Sequence, residues 1–367
     1  MYVPGSRGIP VSQGFMLMML TAGLTNHVMI IPVLLEKSGR DAWITVILGA
    51  ILCIPWVLFL YAIMKKIGNR TLKLAIDEGS GKWARRLVMC MISLYLFFFA
   101  LYTLKEVIDW TKSTYLLETP VTVTTLVLVL LCVATAYSGI LTIGTAAGIL
   151  LPMVVVLGFF VSFSNAKYKN YDMLLPVLED GIAPVLHGLP AILGGFTQFI
   201  LVIFLRPHLK KNPKLLTVAA FHFILVMLTL GPTMAGISEF GPEEMRIQRY
   251  PAYEQWRLVK LGKFIEHVDF LSIFQWLSGA YISISLCMYL MSEYLFPASK
   301  RLVGIFCSAV LMAGLCIMPL SNLRMYHYIG DHILVISTVY TTVLLVLLYL
   351  FIGRSEPTSS DLGGKTS

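Results

Sequence analysis

Charged residues are scarce in this chain: Asp, Glu, Lys and Arg make up 13% of its 367 residues, while 57% are hydrophobic. Soluble domains carry about twice that share of charge, so the composition excludes one. Also missing is the alternation of apolar and polar residues that marks the strands of a membrane barrel; here the apolar runs are continuous. There is no glycine-rich phosphate loop, no clustered set of metal ligands and no Ser-His-Asp arrangement in a credible context. Nucleotide-driven, metal-dependent and hydrolytic chemistry therefore have no support, and no catalytic residue, metal or cofactor is expected. The six cysteines, Cys53, Cys90, Cys132, Cys287, Cys307 and Cys316, are scattered over the apolar runs, with Cys307 and Cys316 sharing one. They read as small packing residues. No carboxylate lies at the centre of any run, which argues against proton coupling through a mid-membrane acid. The first apolar run has no small-residue cleavage site after it and reads as a span, not a signal peptide.

What the chain has is length in apolar runs. Ten can cross about 30 Å of hydrocarbon as helix: roughly 11–35, 42–64, 87–110, 120–138, 141–163, 187–206, 214–232, 268–292, 302–319 and 331–352. The expected fold is an all-α membrane protein, a single ten-helix transmembrane domain over residues 1–352 with a disordered Ser-, Thr- and Gly-rich tail at 353–367. Sorted by connection, 16 of the 28 Lys and Arg residues fall on the side that holds both termini. That excess marks the cytoplasmic side. The net charge of +8 is then a consequence of topology and contact with lipid, and no nucleic-acid partner is expected.

Two of the runs are interrupted. Thr21 to Asn26 (Thr-Ala-Gly-Leu-Thr-Asn) and Leu193 to Gln198 (Leu-Gly-Gly-Phe-Thr-Gln) carry residues that disfavour helix or compete with it. Ten spans divide into five and five, and an odd number per half forces the second half to enter the membrane from the opposite side. Two related halves, about 11–163 and 187–352, would be inverted repeats. The interruptions fall in the first span of each, giving broken helices 1 and 6, a pattern that marks transporter binding sites. Packing of small residues between helices is the competing reading. Residues 71–78 are expected to form a short surface helix. The apolar stretch within 165–188 should pack as a lid or re-entrant piece, and about 253–267 should form an interfacial helix.

Several stretches resemble one family. They are Gly39-Arg40-Asp41-Ala42-Trp43-Ile44, Leu175-Pro176-Val177-Leu178 with Gly181 and Pro184, Phe204-Leu205-Arg206-Pro207-His208-Leu209-Lys210-Lys211, Tyr253-Glu254-Gln255 with Arg257, and Phe264-Ile265-Glu266-His267 with Asp269. In order and placement they resemble the bacterial spore germination proteins of the membrane-permease type, the B subunits of nutrient germinant receptors. Those in turn resemble the amino-acid/polyamine/organocation transporters. The resemblance implies the five-plus-five inverted-repeat fold, residence in the spore inner membrane, a small nutrient such as an amino acid as ligand, and a complex with an A-type membrane subunit and a C-type lipoprotein.

Free backbone groups at two broken helices suit the carboxylate and ammonium of an amino acid. The ligand-binding residues expected on the first span are Ala22, Gly23, Leu24 and Thr25, with Gly23 facing the sixth span. On the sixth they are Gly195, Phe196, Thr197 and Gln198. In the fold that the resemblance implies, spans three and eight also face the site. They offer Tyr95 and Phe99, and Gly279, Ser283 and Cys287, at helical spacing. Lys105, Glu106 and Asp109 read as a snorkelled interfacial cluster at the end of span three, with a possible Lys105–Asp109 pair. Glu293, at the end of span eight, reads likewise. Three functions remain open: a nutrient-sensing receptor subunit, a secondary transporter of amino acids or ions, and an assembly scaffold with a vestigial pocket.

Overall fold

The computed structural model describes residues 8–260, 267–318 and 332–353. The tail expected to be disordered, and the Phe264-Ile265-Glu266 stretch, lie outside the described residues apart from Gly353. The chain is all-α. Its helices are α1 (Val11–Leu24), α2 (Ile30–Ser38), α3 (Ala42–Ile67), α4 (Leu72–Thr114), α5 (Val121–Ser138), α6 (Ile140–Ser164), α7 (Ala183–Phe196), α8 (Leu201–Leu205), α9 (Leu215–Phe240), α10 (Pro242–Ile247), α11 (Pro251–Arg257), α12 (Leu271–Leu295), α13 (Arg301–Ile317) and α14 (Leu334–Phe351). Among the described residues, nine helical stretches are long and apolar enough to cross a membrane. The first, Val11–Ile67, is 57 residues long and is interrupted at Gly39, whose φ of 52° belongs to the left-handed region. Gly139, with φ 94°, joins α5 to α6 almost without a loop.

α4 begins as expected for residues 71–78: Thr71 caps it by accepting from the Leu74 amide, and Gly81 breaks it into a short leg and a long one. The long leg, residues 82–114, extends about 50 Å. That is well beyond the hydrocarbon thickness, so its last turns carry their charges into other parts of the protein. α4 and α12 lie along each other at the centre, and the second half of α7, from Ala191, and all of α8 are nearly completely buried. α6 buries only Ile140, Ile143, Gly144 and Ala147, and turns Ile149, Val156, Phe159 and Phe163 outward.

The main neighbours are α2 and α3 with α7, α1 with α6 and α12, α12 with α5, α6 and α13, and α7 with α14; lighter contacts join α4 to α13 and α14, and α1 to α9. α3 also lies against α9, and α5 against α13. Just before α1, the Ile9 amide donates to the His208 carbonyl (2.9 Å) and the Ile9 carbonyl accepts from the Lys210 amide (3.0 Å), pinning this segment beside the end of α8.

Two connections depart from expectation. Residues 165–182 form two short 3-10 turns that bury little beyond Asn165 and Leu174, leaving Tyr171, Leu175, Val177 and Ile182 exposed. The segment is anchored rather than packed. Arg40 pairs with Glu179, and Asp41 accepts from the Leu178 amide (3.0 Å). Two separated stretches of the family resemblance thus meet. The expected interfacial helix begins at Pro251, where a proline at the first position is favoured, and ends at Arg257. Of the cysteines, Cys53, Cys132, Cys287 and Cys316 are buried as expected, but Cys90 and Cys307 are exposed on the outside of the bundle.

Candidate functional site

Both interruptions stay helical and change pitch, where the sequence reading expects unwound backbone. After Leu24 the first span widens into a π-helical turn, Thr25–Met29, closed by the Ile30 amide donating to the Thr25 carbonyl. Pro32 explains the position: it has no amide with which to bond the Val28 carbonyl, so the regular ladder cannot pass through this turn. In the other span, α7 runs to Phe196 and tightens into a 3-10 turn, Thr197–Ile200, before α8. Such turns in membrane helices recur at functional sites.

The two altered turns belong to spans that touch, and Asn26 makes the link. Its side-chain amide donates to the Ala22 carbonyl (2.8 Å) and across to the Gly195 carbonyl (3.2 Å). The approach demands glycine: a Cβ on Gly195 would lie 2.2 Å from Ile30 Cδ1 and 2.4 Å from Asn26 Oδ1. Its neighbour Gly194 serves the opposite side, where a Cβ would lie 2.8 Å from the Leu334 carbonyl of α14. Thr25 Oγ1, Asn26 Oδ1 and Gln198 Oε1 are buried and find no hydrogen-bond partner among the described residues. Each such group costs about 1–3 kcal/mol while unpaired. Three of them around one crossing make it a place for a polar guest.

The remaining expected residues sort by what they touch. Gly23 does not face Gly195; its Cβ direction points at Leu228 of α9, 3.0 Å away, and the Phe196 ring meets His222 of α9 edge-on at 5.5 Å. Asn26 replaces Gly23 as the residue that meets Gly195. Leu24 packs on Gly279, where a Cβ would lie 3.0 Å from Leu24 Cβ, and Ala22 supplies the carbonyl that holds Asn26. Thr197 donates to the Gly194 carbonyl at 3.5 Å, and Ser283 donates within its own helix to the Gly279 carbonyl at 2.7 Å. Cys287 is fully buried. Tyr95 stacks between Phe99 (6.2 Å) and Tyr340 of α14 (6.3 Å), with Phe204 of α8 edge-on at 6.4 Å.

Beyond the π turn lies a small cavity lined by Val28, Met29, Pro32, Tyr102, Glu106, Arg249, Tyr250 and Trp276. It is closed to about the size of one water molecule. Arg249 pairs with Glu106 at 3.1 Å, its guanidinium 5.4 Å from the Tyr250 ring centre. Burial works against the Arg249 charge, yet the Glu106 carboxylate together with the Tyr250 and Tyr102 side chains outweighs it and raises the guanidinium above its ordinary range. Burial also pushes the Tyr250 hydroxyl up to about 12. Beside Glu106 on α4, Lys105 and Asp109 form the expected pair at 2.9 Å, with both side chains largely buried in the protein. The sequence signal was present in Glu106, a charge inside an apolar run; the partner Arg249, far away in a connection, carried none. At the other end of α12, Glu293 gathers His208 and Arg301 at 3.1 Å each, and Lys73 donates to its carbonyl at 2.6 Å.

Among the described residues no group of His, Cys, Asp and Glu could hold a metal ion. Compared with known proteins, residues 8–324 match the family described as spore germination protein. The chain is 37% identical to Spore germination protein XB of Bacillus anthracis, with 92% of this chain and 95% of the relative covered. It is 23% identical to Spore germination protein A2 of Bacillus subtilis (strain 168), covering 66% and 67% of the two chains. It is 23% identical to Spore germination protein KB of the same strain, covering 69% of each.

Proposed function

Because this chain belongs to the spore germination protein family, a non-enzymatic family of membrane permease type, we propose that it is the nutrient-sensing membrane subunit of a germinant receptor. A small molecule, of which an amino acid is the best fit, binds where the π turn of the first span crosses the 3-10 turn of the sixth. Occupancy favours one conformer, and an A-type membrane subunit and a C-type lipoprotein in the spore inner membrane receive that bias. The shift can be no larger than the ligand's difference in affinity between the two conformers. The observation that carries the reading is the set of unpaired buried groups on Thr25, Asn26 and Gln198.

The fold assignment behind it counts the stretch interrupted at Gly39 as two spans. That makes ten, in one domain over residues 1–352 with both termini cytoplasmic. An inverted repeat of 11–163 and 187–352 is supported by the packing: adding five to each span number turns α1–α6 into α7–α14. The same shift turns α3–α7 into α9–α1, α4–α13 into α12–α5, and α4–α14 into α12–α6. The pairs α4–α12, α3–α9 and α5–α13 map onto themselves. The expected set of Ala22, Leu24, Thr25, Tyr95, Phe99, Gly195, Thr197, Gln198, Gly279, Ser283 and Cys287 then surrounds the shared centre, with Asn26 added.

Spores carrying Gly195→Leu, Thr197→Trp or Gln198→Leu in place of the wild-type chain test the reading. The expected result is loss of the nutrient response with the protein still present in the membrane. Normal responses from all three contradict the site.

A further inference from the structure

Each half of the chain has a long connection after its second span, residues 68–81 in the first half and 241–260 in the second. Both begin on a glycine in the left-handed region, Gly68 (φ 61°) and Gly241 (φ 80°), where the chain turns out of α3 and α9. What the two connections hold is reciprocal. On the first, the Gly68 carbonyl accepts from Arg206 at the end of span six, and Lys73 donates to the Glu293 carbonyl of span eight at 2.6 Å. The Ala75 carbonyl accepts from the Gly353 amide at the end of span ten at 3.0 Å, and Arg70 donates to the Gly353 carbonyl at 3.1 Å. On the second, α10 lies against α2 and the Gly39–Asp41 turn that ends span one. Arg249 pairs with Glu106 of span three at 3.1 Å, and the Gln255 carbonyl accepts from Asn165 at the end of span five at 2.7 Å. Adding five to each span number turns one set of contacts into the other.

We infer that residues 68–81 and 241–260 are a pair of reciprocal clamps, the first shutting the inner face of the crossing and the second the outer face, each by holding the ends of the first, third and fifth spans of the opposite half. Because a clamp and the ends it holds belong to different halves, the halves can part on that face only when the clamp releases. The far clamp, still closed, is then the fulcrum of the movement. Both clamps are engaged here. On the outer side, the cavity between Arg249 and the π turn has room for about one water. On the inner side, Tyr294 donates to the Phe204 carbonyl of α8 at 2.9 Å, and Phe204 is fully buried. The two clamps share one chemistry, a cation on the connection set against a glutamate of the third span of the opposite half. Polar contacts suit a part that must open, because water takes over each bond as it breaks.

The inference rests on the inverted-repeat reading above, and its test uses no ligand, so the clamps and the binding reading can fail separately. The full chain carrying Met29→Cys, on the cavity wall behind the outer clamp, is placed in lipid nanodiscs and treated with a water-soluble thiol reagent. Native Cys287, fully buried on α12 between Gly279 at the crossing and Glu293, reports the inner side. Mass spectrometry of the digested protein reads both positions. Arg249→Gln is expected to speed labelling at position 29 at least about tenfold, the cost of one charge-assisted bond, and to leave Cys287 unchanged. Lys73→Gln together with Arg206→Gln should do the reverse. A variant that speeds both reporters, the wrong one or neither overturns the clamps. Cys132, buried where its thiol meets the Tyr281 carbonyl of α12, stays unlabelled as long as the fold is intact. Should a variant lose the fold, hydrogen exchange of the wild-type chain in the same nanodiscs decides. The end of α14 is expected to open together with residues 72–80, and α10 with α11 in a separate step. A single step for all four, or an end of α14 that opens independently of residues 72–80, overturns the proposal.

Discussion

Gly195→Ala places a methyl group at the closest approach between the two altered turns. It would lie 2.2 Å from Ile30 Cδ1 and 2.4 Å from Asn26 Oδ1, both far inside contact distance. Ile30 Cδ1 is the free end of a flexible side chain and can swing aside at little cost. Asn26 cannot, because its amide is held by the Ala22 carbonyl at 2.8 Å and the Gly195 carbonyl at 3.2 Å. Moving it sacrifices the second bond, about 1 kcal/mol, on top of about 1–3 kcal/mol for overpacking a filled interior. The expected destabilisation is about 2–4 kcal/mol. Gly314→Ala, in α13, is the control, since a Cβ there meets nothing within 4 Å. It should be neutral or stabilising by a few tenths of a kcal/mol, as alanine favours helix. Thermal unfolding of the purified chains, followed by tryptophan fluorescence, measures both. A midpoint several degrees lower for Gly195→Ala with Gly314→Ala at or above wild type is the expected pair of results. Equal midpoints for the two variants would refute the close crossing.

Other consequences follow from the buried charges and thiols. Lys105→Met should destabilise the chain by about 1–3 kcal/mol through loss of the 2.9 Å ion pair with Asp109, and Lys105→Met with Asp109→Leu should cost less than the two single changes summed; a double-mutant cycle on the unfolding midpoints reads the coupling, and a coupling of zero contradicts the pair. Glu293→Gln should lower stability by about 1–3 kcal/mol, because His208 and Arg301 lose their shared carboxylate; an unchanged midpoint contradicts the cluster. A lipid-soluble thiol reagent should modify Cys90 and Cys307 in the folded chain and leave Cys53, Cys132, Cys287 and Cys316 untouched, as mass spectrometry of the digested protein will show.

The spans were legible because hydrocarbon thickness is a strong constraint: α3 at 42–67 and α14 at 334–351 fall within a few residues of the runs read from composition. The interruptions were legible as places and not as shapes. Proline and glycine announce that the regular ladder fails near Pro32 and Gly195, but whether it unwinds, widens or tightens depends on partners elsewhere in the chain. Asn26 illustrates the difficulty, since its bond to Gly195 spans 169 positions of sequence. Gly23 carried the right composition and the wrong direction, for nothing local says which helix a glycine will face. The Glu106–Arg249 pair was hidden for a related reason: a charge near the end of an apolar run could meet water or protein with equal ease, and its partner lies 143 positions away in a connection.

The central claim is that a small polar ligand completes the crossing of the first and sixth spans. Its most direct test is equilibrium binding to the purified full chain, comparing wild type with Gln198→Leu and Thr25→Val, nearly isosteric changes that remove the unpaired groups. The account predicts saturable binding of an amino acid to the wild type and at least about tenfold weaker binding to each variant. Undiminished affinity in both variants would contradict it.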